Sequence, residues 1–100
     1  MQFMLLGYDG KDDDALDRRL AVRDQHLARG DQLVAEGKLL FATAILGADE
    51  KMIGSMLVLE FPSRAELDAW LANEPYVTGD VWREIEILPA KVSPSFTRSP

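Results

Sequence analysis

Six apolar segments, cut apart by glycine, proline and acidic turns, constrain this chain more than any other feature of it. Gln2 to Tyr8 is a continuous apolar run of strand length. Asp9-Gly10-Lys11-Asp12-Asp13 turns the chain, and Asp13 or Asp14 stands where it can cap a helix whose positive end suits the acids. From Ala15 the apolar residues recur at helical spacing, at Leu16, Leu20, Leu27 and Val34, with Ala15, Val22 and Leu33 on the flanks. Gly37 is a natural stop for that helix. Arg23 and Gly30 interrupt the stripe where its period calls for apolar residues. Lys38 to Leu46 predicts a second strand, Gly47-Ala48-Asp49-Glu50-Lys51 a hairpin loop, and Met52 to Phe61 a third strand that Pro62 ends.

Ser63-Arg64-Ala65-Glu66 reads as a capping box, in which Ser63 and Glu66 satisfy each other's amides. It opens a second helix with Leu67, Trp70 and Leu71 on its apolar face and Pro75 as its end. Val81 to Leu88 alternates, with Val81, Arg83, Ile85 and Ile87 on one side and Trp82, Glu84, Glu86 and Leu88 on the other, until Pro89 stops it. The order is β-α-β-β-α-β. It predicts an α+β, ferredoxin-like domain over residues 1–92, a four-stranded antiparallel sheet with both helices on one face. Residues 93–100 read as an irregular tail, though Val92, just before it, and Phe96 could pack against another part of the chain.

Helices on one face leave the other to water, and that face should then be polar. It is not. Phe3 and Leu5 point one way along the first strand and Met4, Leu6 and Tyr8 the other; in the third strand Ser55, Leu57, Leu59 and Phe61 oppose Met56 and Val58. Two apolar faces predict a homodimer whose sheets pack together, because a ten-residue tail folded back could hide only part of the second face.

The formal charge of −6 argues against nucleic acid, which needs a cationic patch, and the arginines Arg18, Arg19, Arg23 and Arg29 are interleaved with Asp17, Asp24 and Asp31 as on a solvated helix face. No apolar run is long enough to span a bilayer, and the first residues lack a cationic leader and cleavage site, so no membrane partner and a cytoplasmic location are expected. With no cysteine and one histidine, neither a disulfide framework nor the usual structural zinc sets can be built. Gly7 to Gly10 is too sparse for a dinucleotide fingerprint, so no cofactor is expected.

That one histidine, His26, lies in the first predicted helix, one turn after Arg23. Histidine changes charge close to neutral pH, and a carboxylate on one ring nitrogen fixes its tautomer while the other takes a proton. Glu74, on the stiff stretch Asn73-Glu74-Pro75-Tyr76, is the candidate orienting acid. Arg23 is placed to neutralise an enolate, phenolate or carboxylate formed in a substrate, and Ser55 and Tyr76 are candidate hydroxyl donors. Gly30, a turn after His26, costs ~1 kcal/mol against alanine, and room for a ligand beside the base is one motive. Each residue also has a plainer reading: His26 as a half-buried helix residue, Arg23 as a salt-bridge partner of Glu74, Glu74-Pro75 as a helix stop, Tyr76 as packing.

Arg23-Asp24-Gln25-His26-Leu27 resembles the Arg-x-x-His signature of the YCII-related proteins, as does Glu36-Gly37-Lys38-Leu39 at the helix end. Gly54 to Glu60 looks like the third strand of that family. Ser63 to Trp70, Glu74-Pro75-Tyr76 and Ile87-Leu88-Pro89 are similar to its second helix, acid-Pro loop and last strand. The resemblance runs over residues 1 to about 92. It implies a dimeric α+β-barrel-like assembly with a small-molecule pocket centred on a histidine–aspartate pair, His26 being the histidine and Glu74 standing where aspartate is usual. Thr43 would add a hydroxyl from the second strand, Ala42-Thr43-Ala44-Ile45-Leu46, where members often carry a Gly-Pro turn. One relative type eliminates chloride from chlorinated hydroxyquinols. The expected function is thus a cofactor-free lyase or isomerase using His26 and Glu74 on a small cyclic or aromatic metabolite. The alternative is a non-catalytic metabolite-binding or accessory dimer.

Overall fold

The computed structural model describes residues 1–96; the last four residues of the expected irregular tail lie outside them. Seven elements follow in order: β1 (Gln2–Asp9), α1 (Ala15–Ala35), β2 (Leu39–Leu46), β3 (Met52–Glu60), α2 (Arg64–Leu71), α3 (Pro75–Thr78) and β4 (Trp82–Ala90), with a 3-10 turn at Pro94–Phe96. The strands form one antiparallel sheet in the order β2-β3-β1-β4. This is the α+β, ferredoxin-like arrangement that the segment order predicts.

The inner sheet face carries Phe3, Leu5, Leu57 and Leu59, all buried, and the helices close over it with Leu33, Leu67 and Tyr76. Each such side chain contributes ~1.5–3 kcal/mol by leaving water. Across the sheet, Met4 faces Val58 and Leu88, Leu6 faces Met56 and Glu86, and Phe41 faces Val58. This outer face stays open, with Phe41 61% and Leu88 40% exposed. The tail turns onto one end of it. Val92 N donates to Gln2 Oε1 at 2.6 Å, and Val92 and Phe96 border an apolar gap of about 400 Å³ with Leu40, Phe41 and Val58.

Four local expectations are corrected. Pro75 does not simply end a helix: it opens α3, with Glu74 as the capping residue before it. Proline suits the first helical position because its missing N–H would have no helical partner there. Pro89 does not stop β4, which runs on to Ala90. β4 is an edge strand, where a missing N–H breaks no interior ladder. The alternation expected along β4 is broken by a bulge, since Tyr8 pairs with Glu84 but Asp9 pairs with Trp82. The bulge turns Trp82 onto the inner face beside Ile85 and Ile87. Its indole lies flat across Gly7, where an added Cβ would sit 2.5 Å from the ring.

The fourth correction concerns α1. Its inward residues are Arg19, Val22, His26 and Leu33, while Leu20, Leu27 and Val34 of the predicted apolar stripe are 51%, 43% and 58% exposed. The true inner face lies one residue back, a rotation of about 100°. In that orientation Arg19 and His26 meet Asp9, Ser55 and Glu74 beneath the helix, partners that side chains of the predicted apolar stripe could not satisfy. The caps are also leaner than expected. Asp14 sits at the α1 cap without a side-chain bond, and Ser63 accepts from Glu66 N at 3.2 Å, with no return bond from the Glu66 carboxylate among the described residues.

Candidate active site

The last turn before β4 positions the acid. Glu74 caps α3, its Oε1 accepting from Tyr76 N at 3.2 Å. The residue is fully buried, and the same oxygen meets His26 Nδ1. Its second oxygen faces Arg29 Nη1 at 3.7 Å, and Arg29 also donates to the Trp70 carbonyl at 3.4 Å. The carboxylate therefore sits between an imidazole and a guanidinium, both from α1. Arg29, and not Arg23, is the cation on Glu74.

The imidazole is held on its faces as well as its edge. It stacks on Tyr76 with ring centroids 3.8 Å apart and 12° between planes, and Trp82 approaches edge-on at 5.9 Å. Nε2 has no protein partner among the described residues. The arrangement has the parts of a general base: one nitrogen tied to a carboxylate, the other left for a proton. Burial pushes the Tyr76 phenol above its ordinary range, opposed by the charges of Arg19 and Arg23, so Tyr76 stays neutral there.

Below the imidazole lies a polar cluster. Arg19 is 3% exposed, and its Nη1 donates to both oxygens of buried Asp9, at 2.9 and 3.1 Å. Its Nη2 donates to Ser55 Oγ at 2.7 Å, and Trp82 Nε1 donates to the same oxygen at 3.2 Å. The guanidinium sits 4.7 Å from the centre of the Tyr76 ring. Burial raises the Asp9 carboxyl above its usual range, and the Arg19 charge pulls it back. A cavity of about 140 Å³ opens here, walled by Arg19, Arg23, His26, Ser55 and Tyr76 among others. A second, apolar cavity of about 190 Å³ lies beyond His26 and reaches Gly30. A Cβ at Gly30 would make only an ordinary 3.6 Å contact with Leu39.

Of the residues picked from sequence, His26, Arg23, Ser55 and Tyr76 thus converge on one cavity, with Glu74 behind the imidazole. Thr43 borders the cavity too, but it pairs with Met56, which points to the outer face, and its hydroxyl donates to the Ala44 carbonyl at 3.2 Å. Asp9, Arg19, Arg29 and Trp82 were missed as site residues. The helical spacing of Arg19, His26 and Arg29, seven and three residues apart, was the available signal, since such residues share a face. Among the described residues no group of three or more His, Asp or Glu side chains is gathered as a metal site would need.

The profile of the YCII-related domain matches residues 1–91. The chain belongs to the YCII-related family. An uncharacterised protein of Haemophilus influenzae is 37% identical over 82 residues, 76% of this chain and 84% of that one. Protein YciI of Escherichia coli O6:H1 is 36% identical over 84 residues, 78% of this chain and 86% of its own length. Among solved structures, the chain is similar to 5-chloro-2-hydroxyhydroquinone dehydrochlorinase (TftG) of Burkholderia phenoliruptrix AC1100, in complex with 2,5-dihydroxybenzoquinone. The TM-score is 0.83 at 24% identity, over 95% of this chain and 98% of the other. A dimeric ferredoxin-like protein of unknown function from Jannaschia sp. CCS1 matches with a TM-score of 0.50 at 17% identity, over 91% of this chain and 98% of the other. At these identities the two structures share the fold. No helix among the described residues is long and apolar enough to cross a membrane.

Proposed function

We propose that this chain is a cofactor-free cytoplasmic enzyme of the lyase or isomerase type, acting on a small cyclic or aromatic metabolite. His26 takes the proton, Glu74 holds the imidazole and supports its charged form, and Arg23 offsets the negative charge that develops on the ligand. The carrying observation is that Glu74 ties up Nδ1 while Nε2, on the wall of a small cavity, has no protein partner among the described residues. The cavity is below the ~300–1,000 Å³ of sites for drug-sized ligands, which favours a single ring. Arg23 makes no ion pair among the described residues, so its charge is available.

In such a reaction the proton leaves an acidic O–H or C–H for His26 Nε2. The freed electron pair moves through the ring and either expels an anion or is reprotonated at a second position. No oxidant or reductant is consumed. The name of the dehydrochlorinase that shares this fold is an instance of the first outcome. Two chains joined through their outer sheet faces complete the proposal: Phe41, Met56, Val58, Leu6 and Leu88 form an apolar surface that water would otherwise cover.

A panel of chlorinated hydroxyquinols and lactones, assayed with wild type and His26→Ala, tests this reading. General acid–base catalysis is worth ~10²–10⁴-fold, and a loss of that size on His26→Ala is expected. Turnover that survives the substitution would remove His26 from the chemistry. Ligand binding with no turnover of any panel member would favour the metabolite-binding reading.

A further inference from the structure

Ser55 is committed to one hydrogen-bonding role. A serine hydroxyl has one proton and two acceptor positions. Both acceptor positions are taken by groups that can only donate: Arg19 Nη2 at 2.7 Å and Trp82 Nε1 at 3.2 Å. Its own proton finds no acceptor among the described residues, although Ser55 is 3% exposed and lies on the wall of the His26 cavity. A buried donor without a partner is unfavourable, so the site is complete only when an oxygen from outside the chain accepts that proton.

The surroundings say which oxygen. Arg19 donates to Ser55 and so polarises its O–H, making it a stronger donor. Asp9 neutralises most of that charge from the far side, and Arg19 Nε remains buried without a partner on the same cluster. Among the described residues, no acidic side chain lines the cavity itself. The floor thus suits an acceptor and rejects an ammonium or any group that can only donate.

We propose that Ser55 and Arg19 form an oxyanion subsite, which takes the carbonyl, enolate or phenolate oxygen of a small cyclic ligand while His26 faces its acidic proton. The proposal rests on the His26 cavity being the ligand site, and it specifies which ligands enter. The substrate class is then a cyclic enol or phenol, with negative charge gathering on the oxygen over Ser55 as the proton leaves. Ser55 and His26 line the same cavity of about 140 Å³, so the subsite and the base open onto one space.

The test uses 4-nitrophenolate as probe and 4-nitrotoluene, which has a methyl group in place of the oxygen, as control. Binding to the full chain is followed by quenching of tryptophan fluorescence, at a pH where the probe is ionised. Wild type should prefer 4-nitrophenolate, and Ser55→Ala should lower that affinity about tenfold or more with 4-nitrotoluene unchanged. His26→Ala should keep the dependence on Ser55. If Ser55→Ala does not fold, Ser55→Cys decides, because its thiol keeps the size and is a weak donor; affinity for 4-nitrophenolate should again fall. Equal affinity in wild type and the folded variant overturns the subsite, as does a wild type that does not prefer the phenolate. Should the substrate panel show no turnover while the Ser55 effect persists, the subsite stands and the base reading falls.

Discussion

Glutamine at position 74 is nearly isosteric with the glutamate, and it removes one charge from between two partners. The side chain is 1% exposed. Its bond to His26 changes from charge-assisted, ~1.5–3 kcal/mol, to neutral, ~0.5–1.5 kcal/mol, a loss of about 1 kcal/mol. The facing Arg29 side chain is 29% exposed and 3.7 Å away. The two facing atoms, Arg29 Nη1 and Glu74 Oε2, are themselves buried, but at 3.7 Å they make no hydrogen bond and each charge has lost its water, so the pair is credited with only about 0.5–1 kcal/mol. The cap to Tyr76 N survives, because an amide oxygen also accepts. Glu74→Gln should therefore cost about 1.5–2 kcal/mol, which lowers the melting temperature of a domain this size by roughly 6–16 °C. Urea denaturation of wild type, Glu74→Gln, His26→Gln and the double variant closes a cycle that cancels the lost stacking on Tyr76. Contacting residues in such cycles couple by ~0.5–3 kcal/mol, and independent sites add within ~0.3–0.5 kcal/mol. An unchanged midpoint in Glu74→Gln, together with additivity in the cycle, would refute the pairing of His26 with Glu74.

Two further outcomes follow from burial. Because burial raises the Tyr76 phenol, the fold favours its neutral form; that contribution is full below the ordinary tyrosine range and is lost as pH climbs through the raised value. In a Tyr8→Phe background, tyrosinate absorbance should rise above the ordinary tyrosine range, or earlier only where the fold is lost, and titration in the ordinary range with circular dichroism intact would contradict this. Met56→Lys puts a charge in the middle of the outer sheet face. Sedimentation should show a dimer for wild type and a monomer for the variant, and a wild-type monomer at micromolar concentration would end the dimer proposal.

The sheet was legible because its signals are local. Gly10, Gly37, Pro62 and Pro75 punctuate the chain at the ends of segments whose lengths admit one element each, and the observed strands begin and end within two residues of the predicted ones. Errors arose where an element's surroundings outweighed its own pattern. Pro89 reads as a stop until β4 is known to be an edge strand, and the Trp82 bulge cannot be seen before β1 is alongside it. The α1 stripe of Leu16, Leu20, Leu27 and Val34 has a sound period but the wrong phase. Periodicity reports that a helix has faces; it does not report what lies beneath them.

The site divides in the same way. His26, as the one histidine, and Glu74, on its proline-stiffened turn, stand out in the chain because residue type and local stiffness are local properties. Arg19 reads as one more solvated arginine in a run of alternating charges, and nothing near it in sequence shows that Asp9, Ser55 and Tyr76 will surround it. A buried charge is stable only when partners from other segments arrive with the right geometry, and those partners lie 10 to 57 positions away along the chain. Residue order thus settles which elements form and which side chains are capable of chemistry. How α1 is turned, and so which of its residues meet β1, β3 and α3, depends on contacts that exist only once the chain has closed on itself.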